Sequence, residues 1–501
     1  MEQNNEPFRD QVGYQTHLCP DLPVVVQNAD YERFAAMLGD VEATLRGSGV
    51  EDQAVCMALE NCPGLDEAGR ARRARFAVEA VRGEVLRKLQ ADPSFRAFSV
   101  SVACSALLAR FCGLLEIDGV RRSSKSTAER RSKLFSARQW HDLNRTLTEV
   151  CGNTDLCADI GLEQAVAMDV CLIDTTCLEA NIHFPVDWVL LRDVAETLLK
   201  AIKLIRGAGV LCRMTQGADE LAREMSKLCI AMTHARRGKD AKRERKRILR
   251  EMKPLLRRTG EHARRHADKL LAQRARTRFS EREAARIAAR VQEKLGQIEE
   301  VIRQAHERII GARQVASKDK ILSVHEPDVH VIVRGKAGRA AEFGNTLLIG
   351  ENEAGLITDW ELHRGRAPSE PQQLKESLAR QNAYDLDESV NAVAADRGFG
   401  AKKTSALLEE MQAYDATCPR DVGQLRERMG EERFAALQRR RASTEARIAV
   451  LRNKILGGRL RAKGYENRAR GVGAGVLAHN LWLIARMLAA QRGEEARREA
   501  A

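Results

Sequence analysis

Aromatic residues are scarce, at 4% of the 501 positions. That argues against a stacking platform for single-stranded nucleic acid, which needs several exposed rings in a row. The twelve cysteines form no CxxC pair and follow no regular spacing. A zinc-finger array or a disulfide-stapled scaffold is therefore not expected, and a reducing, cytoplasmic setting is. No uninterrupted apolar run reaches the roughly 18 residues that a bilayer demands. The opening MEQNNEPFRD has no apolar signal core. The most apolar late stretch, GVLAHNLWLIARMLAA, is broken by His479, Asn480 and Arg486, and is expected to form a packed amphipathic helix rather than to enter a membrane.

What the chain has in excess is positive charge. Its 83 Lys and Arg residues outnumber 70 Asp and Glu, for a formal charge of +13. This favours an anionic partner, with nucleic acid first. An apolar content of 44% is enough for two or three domains with their own cores.

Residues 1 to about 160 read as helical, since FAVEAVRGEVLRKLQ and VSVACSALLARFCGLLE carry apolar residues at helical spacing. In the following IDGVRRSSKSTAERRSKLFSARQW, Gly119 marks a break and Thr127 an N-cap for a short basic helix. Helix, turn and basic helix over 105–136 outline a helix-turn-helix. Its candidate DNA contacts are Arg121, Arg122, Lys125, Arg130, Arg131 and Lys133. The bland alternative is a solvated basic face.

The first strand is predicted over about 162–176 and nearly unbroken helix over 188–317. Within that helix Ile287, Val291, Leu295, Ile298, Ile302, Ala305 and Ile309 make a stripe suited to a long antiparallel helical pair. From 321 the period changes. DVHVIVR, NTLLIG and GLITDWELH read as strands, VNAVAAD as a buried strand, and 370–383, 401–412 and 422–456 as helices.

Two of these strands raise a chemical question. In CLIDTTCLEANIHFP an apolar run meets Asp174, and VNAVAAD ends on Asp396. A carboxylate there is costly unless solvated, paired or bound to a cation. Neighbouring strand ends gather at one edge of a sheet, and a helix across it brings Glu445 as a third carboxylate. Three such groups repel unless a hard divalent cation sits among them, and Mg²⁺ suits oxygen ligands. Asp169 and Glu179 compete for the first position and Glu466 for the third; strand alternation puts Asp169 on the face opposite Asp174. Cys171 and Cys177 read as small buried hydrophobes.

The same segments resemble a known family. DTTCLEANIHFPVDWVLLRD resembles the first-aspartate block of bacterial insertion-sequence transposases of the DDE class. ILSVHEPDVHVIVRGKAGRAAEFGNTLLIGENEAGLITDWELHRGRAPSE is similar to their next block, AADRGFG to the second-aspartate block, FAALQRRRASTEARIAVLRNKI to the glutamate block, and GVGAGVLAHNLWLIARML to the closing helix. The blocks run in the family's order over most of 166–490. The resemblance departs at Gln438, where many relatives have tyrosine, and at Leu451, where they have lysine.

The resemblance implies an α/β RNase H-like catalytic core, a mixed sheet flanked by helices. Its first Asp lies on the first strand, its second ends the fourth, and its Glu sits on a late helix. The implied organisation is an all-helical DNA-binding domain over 1–160, the core over 161–187 and 318–490, a helical, partly coiled-coil insertion over 188–317, and a disordered charged tail over 491–501. Asp174, Asp396 and Glu445 would hold two Mg²⁺ ions, for which Mn²⁺ could substitute. Arg441, one turn before Glu445, would contact phosphate, and Thr175, His183 and Arg397 would support the ligands. The implied activity is binding of terminal inverted repeats with Mg-dependent cleavage and transfer of DNA strands. The implied partners are double-stranded DNA, transposon ends and target, and further copies of the chain in a dimer or larger assembly. The implied setting is the bacterial cytoplasm beside the nucleoid. The alternatives are a DDE-type nuclease and a domesticated DNA-binding relative without catalysis.

Overall fold

The computed structural model describes residues 28–121, 123–235, 240–336 and 339–499. Among these residues the chain divides into two compact units. One runs to Asn181 and resumes at Asn345; the other is Ile182–Gly344.

The first unit opens with helices α1 (Ala29–Gly47), α2 (Val50–Glu60), α3 (Glu67–Leu89), α4 (Phe95–Ala103) and α5 (Ala106–Phe111). A hairpin of β1 (Leu115–Glu116) and β2 (Gly119–Val120) follows, then α6 (Lys125–Arg131) and α7 (Ala137–Cys151). Local chemistry sets the starts. The Asp66 carboxylate accepts from Gly69 N ahead of α3, and Ser136 and Gln139 form a capping box at α7. Trp140, Leu143, Leu147 and Cys151 recur at helical spacing along α7 and are buried.

The last helix, α16 (Tyr465–Glu499), packs against α1, α3 and α7. Leu45, Val81, Trp140, Trp360, Leu477 and Ile484 therefore belong to one apolar core. This corrects the expected division at 160, because the N-terminal helices share their core with the late helix instead of closing one of their own. Over Tyr465–Gly493 α16 is long and apolar enough to cross a bilayer, yet 78% of that window is buried within the protein. It is buried on most sides, polar Arg468, His479 and Asn480 included, as a central core helix must be. The tail expected to be disordered from 491 continues α16 to Glu499, since its Ala, Glu and Arg residues are strong helix formers.

The sheet of this unit contains β3 (Val170–Glu179), the later part of β5 (Arg339–Glu351), β6 (Ile357–Leu362), β7 (Ala392–Ala395) and β8 (Tyr414–Asp415). β5 lies beside β3, β3 beside β7 and β7 beside β8, while β6 pairs with β5. The β3–β7 and β7–β8 pairs are parallel and the β5–β6 pair is antiparallel, so the sheet is mixed. Helices α12 (Glu370–Gln381) and α13 (Lys402–Glu410) cover one face, where Leu374, Leu378 and Leu408 meet Cys171, Ile173, Val393 and Ala395. A short helix α14 (Val422–Arg428) precedes α15 (Glu432–Val450). On the other face Phe434 and Leu437 of α15 meet Val170, Leu172, Ala392 and Ala394. Burying each Leu or Ile here contributes about 1.5–3 kcal/mol.

β3 begins at Val170, not near 162, and runs past Asp174 to Glu179. Thr175, Thr176 and Cys177 are β-branched or small, and they carry the strand through the carboxylate.

The second unit holds α8 (Asp187–Gly207), α9 (Ala218–His234), α10 (Ala241–Ala272) and α11 (Glu281–Ala305). It also holds β4 (His330–Lys336), which pairs antiparallel with the first part of β5. The predicted coiled pair is a helical bundle. Val291, Ile298, Ile302 and Ala305 share a core with Leu198 of α8, Met225 of α9 and Leu256 of α10. The expected insertion of 188–317 thus widens to Ile182–Gly344.

Candidate active site

Parallel pairing sets the first two carboxylates. The ladder runs from Val170 opposite Ala392 to Ile173 opposite Ala395, where β7 ends. One step on stand Asp174, still within β3, and Asp396, just past the end of β7, near enough for the charge of Asp396 to act on Asp174. Alternation puts Leu172 and Asp174, like Ala394 and Asp396, on the face covered by α15.

α15 presents Leu437, Arg441 and Glu445 at successive four-residue steps, one row of a helix. Two anchors fix its register. Gln438 Nε2 donates to the carbonyls of Ala395 (3.3 Å) and Ala416 (2.6 Å), where β7 and its neighbour run out. At the other end the buried carboxylate of Glu351 accepts from Thr444 Oγ1 (2.8 Å) and Arg440 Nη1 (3.0 Å) through Oε1. Its Oε2 has no partner, and burial raises the pKa of this carboxyl. Gln438 also accepts from Arg441 Nε (3.2 Å), which turns that guanidinium toward Asp174, with Nη1 3.9 Å from Oδ2.

Asp174 is 8% exposed. Desolvation pushes its pKa up to about 6. The Thr175 backbone N–H on Oδ1 (2.7 Å) pulls it down, Asp396 and Glu445 push it further up, and Arg441 opposes them. A fourth carboxylate that the sequence did not single out joins the group. Glu370, the first residue of α12, has its pKa raised by burial and then by Asp396 and Asp174, against a lowering by Arg420. Its carboxylate lies against Gly398, where no Cβ would fit. The Gly398 N–H donates to Asp396 Oδ1 (2.9 Å) and its carbonyl accepts from Arg420 Nη2 (3.2 Å), so this turn joins Asp396, Glu370 and Arg420.

The donors suit a hard divalent cation, being all oxygen, partly desolvated and mutually repelling, with Arg441 the cation nearest to Asp174. Among the described residues, however, no group of three or more His, Cys, Asp and Glu stands close enough to share one ion. Glu445 is exposed and acts on Asp174 through its charge. The expected triad is thus gathered electrostatically, without closing on a single ion.

Of the residues named as support, Thr175 touches Asp174 through its backbone N–H. Arg397 is exposed, and its carbonyl accepts from Arg420 Nε. His183 belongs to the second unit, where its ring nitrogens lie beside Phe184 O (3.2 Å) and Asp193 Oδ2 (2.8 Å), so it is corrected to a partner of Asp193. Glu179, once a rival ligand, pairs with Arg459 at 3.0 Å.

The helix-turn-helix is corrected as well. Between α5 and α6 the chain makes the β1–β2 hairpin, and α6 holds only seven residues. Arg121 and Arg131 both bind the buried carboxylate of Glu79 and so brace α3. Lys125 and Arg130 are exposed, and exposed Lys133 pairs with Glu129 at 2.7 Å. Arg122 lies outside the described residues.

No protein-family model, no curated protein and no solved structure matches the chain.

Proposed function

We propose that the chain is a DNA transposase with an RNase H-like core, cutting and rejoining phosphodiesters with the help of divalent cations. The observation that carries the reading is the adjacency of Asp174 and Asp396 at the end of a parallel ladder, under a helix whose Glu445 acts on Asp174. Within the first unit Asp174 lies on the first strand of the main sheet and Asp396 directly follows the fourth, which is the arrangement the block resemblance implies. The excess of cationic residues supports a polyanionic substrate.

Asp174, Asp396 and Glu445 would hold Mg²⁺ or Mn²⁺. When bound, such ions activate an attacking oxygen and stabilise the leaving oxygen of an in-line displacement. The chain's own groups supply position and charge. Asp174 must lose its proton before it serves as a ligand, which its raised pKa sets near pH 6. Arg441, steadied by Gln438, offers a guanidinium to the scissile phosphate beside Asp174. Joining two DNA ends calls for at least two copies of the chain.

Mg-dependent nicking of duplex DNA by the wild type, lost in Asp174→Asn with DNA binding retained, is the expected result. Undiminished nicking by that variant overturns the assignment. A strand-transfer assay with precut ends separates a transposase from a nuclease. The exposed position of Glu445 favours one second reading, a DNA-binding relative that has lost catalysis. Duplex binding without nicking at any Mg²⁺ or Mn²⁺ concentration would select it.

A further inference from the structure

A cavity rimmed by cations lies on other residues of the first unit. A cavity of about 660 Å³ is lined by the end of α3, the start of α4, α6 with the residues after it, and the segment Leu460–Gly471. Eight Lys and Arg side chains line it against three acidic ones. The three carboxylates are already engaged. Glu84 pairs with Arg87 at 2.7 Å, Asp92 with Lys88 at 2.8 Å, and Glu129 with Lys133 at 2.7 Å. Among the described residues Arg96, Arg461, Lys463 and Arg470 form no ion pair with a carboxylate, although they share one concavity. Arg470 gives Nη1 to Asn467 (3.0 Å), but its buried Nε has no partner.

Gathering like charges around a cavity is unfavourable unless an anion relieves it. We propose that this cavity binds phosphate groups of a nucleic-acid backbone, with Arg96, Lys125, Arg461, Lys463 and Arg470 as the contacting side chains.

Three features favour a phosphodiester over a carboxylate partner. Guanidinium groups bind phosphate oxygens in pairs, and Arg96, Arg461 and Arg470 bring three of them to the lining of this cavity. The first turn of α4, a helix of nine residues capped by Ser94, leaves the Phe95 and Arg96 N–H groups without helical acceptors beside the cavity. Pro93, Leu460 and the Phe95 ring, with Arg87 4.6 Å above it, give an apolar wall on which a sugar or base can rest. The volume exceeds that of a lone phosphate and suits a nucleotide-sized group. Lys125 and Lys133 thus come from the stretch first read as a DNA contact, but they serve one wall of a cavity whose other walls lie far along the chain.

The inference rests on the reading of DNA as substrate, and its test is separable from the carboxylate chemistry. Binding of a labelled random-sequence duplex would be measured by anisotropy from about 50 to about 200 mM salt. The proteins would be the full-length wild type, Arg461→Ala/Lys463→Ala, Arg470→Gln, and Arg70→Ala/Arg72→Ala as an equal charge loss on exposed positions of α3. Each lost phosphate contact lowers the log–log salt slope by about 0.9. The Arg461/Lys463 pair should therefore lower it by about 1.8, and Arg470→Gln by about 0.9, while the α3 control keeps the wild-type slope. Wild-type slopes in both cavity variants, or an equal fall in the control, overturn the proposal. Inorganic phosphate tests the other source of the same chemistry: a phosphate-dependent rise in melting temperature that Arg461→Ala/Lys463→Ala abolishes, without any change in duplex slope, would reassign the cavity to a free phosphate ligand. If the cavity variants keep the wild-type slope while Asp174→Asn fails to nick, the cavity fails and the catalytic reading stands. Lowered slopes with no nicking by the wild type show the converse.

Discussion

Asp174 and Asp396 stand one step beyond Ile173 and Ala395, the last bonded pair of a parallel ladder. The backbone alone thus brings together two carboxylates from distant segments. That closeness, together with the burial of Asp174, gives the site its electrostatic character.

Asp174→Asn should stabilise the metal-free protein. Burial raises the folded carboxyl to about 6 from the ordinary aspartate value of 3.8, so the native state holds its proton more tightly than the unfolded chain. Stability contributed by this group is present below pH 3.8 and is lost as pH rises through about 6. At pH 7.5 the aspartate then costs about 3 kcal/mol that asparagine does not. Urea unfolding at pH 7.5 should show a gain of that order, shrinking toward zero near pH 4. An equal gain at both pH values would mean that titration of Asp174 is not its source.

Divalent cation binding should follow the same titration. Below about pH 6 a proton competes for Asp174, and apparent Mg²⁺ affinity should fall about tenfold per pH unit. Calorimetric titration at pH 5 and pH 7.5 reads this directly. Affinity that is flat across the range would place the cation on other groups.

Gln438→Leu tests the anchor under α15. The change keeps most of the side-chain volume but strips the Ala395 and Ala416 carbonyls of their donor and Arg441 of its brace. A stability loss of about 1–3 kcal/mol is expected. Nicking should fall by more than unfolding explains, with duplex binding within a few-fold of wild type. Unchanged nicking would show that Arg441 needs no such support.

Glu79→Gln should strongly destabilise the N-terminal helices. It leaves Arg131, 8% exposed, and Arg121 facing a neutral amide. Breaking a buried ion pair in this way costs about 3–5 kcal/mol. Chemical denaturation measures it, with exposed Arg130→Ala, expected within about 0.5 kcal/mol of wild type, for comparison.

Much of the sheet was legible in the chain. The run Ala392–Ala395 is short, apolar and followed by Asp396, so its end is written locally. The end of β3 is not, because Thr175 and Thr176 favour strand as strongly as the residues before Asp174. What places that carboxylate at an edge is the length of its neighbour, β7. The helix-turn-helix reading failed on a local signal given too little weight. Asp118-Gly119 between apolar residues marks a hairpin as well as a break. The Glu79 pairs and the grip of Glu351 on Arg440 and Thr444 were illegible, since each joins residues tens of positions apart whose contact exists only after helix and sheet have packed. Gln438 was visible only as a departure from the family pattern, and its two carbonyl partners give that departure a physical purpose.

The double anchoring of α15 has a kinetic consequence. With Gln438 held to the strand ends and Thr444 held to Glu351, the helix cannot slide or roll without breaking buried hydrogen bonds on both sides of Arg441. Glu445 directly follows Thr444, so any approach it makes to the aspartates is confined to rotation about its own side-chain torsions. Such rotamer hops in an exposed residue take picoseconds to nanoseconds, far faster than any rearrangement of the helix that carries it.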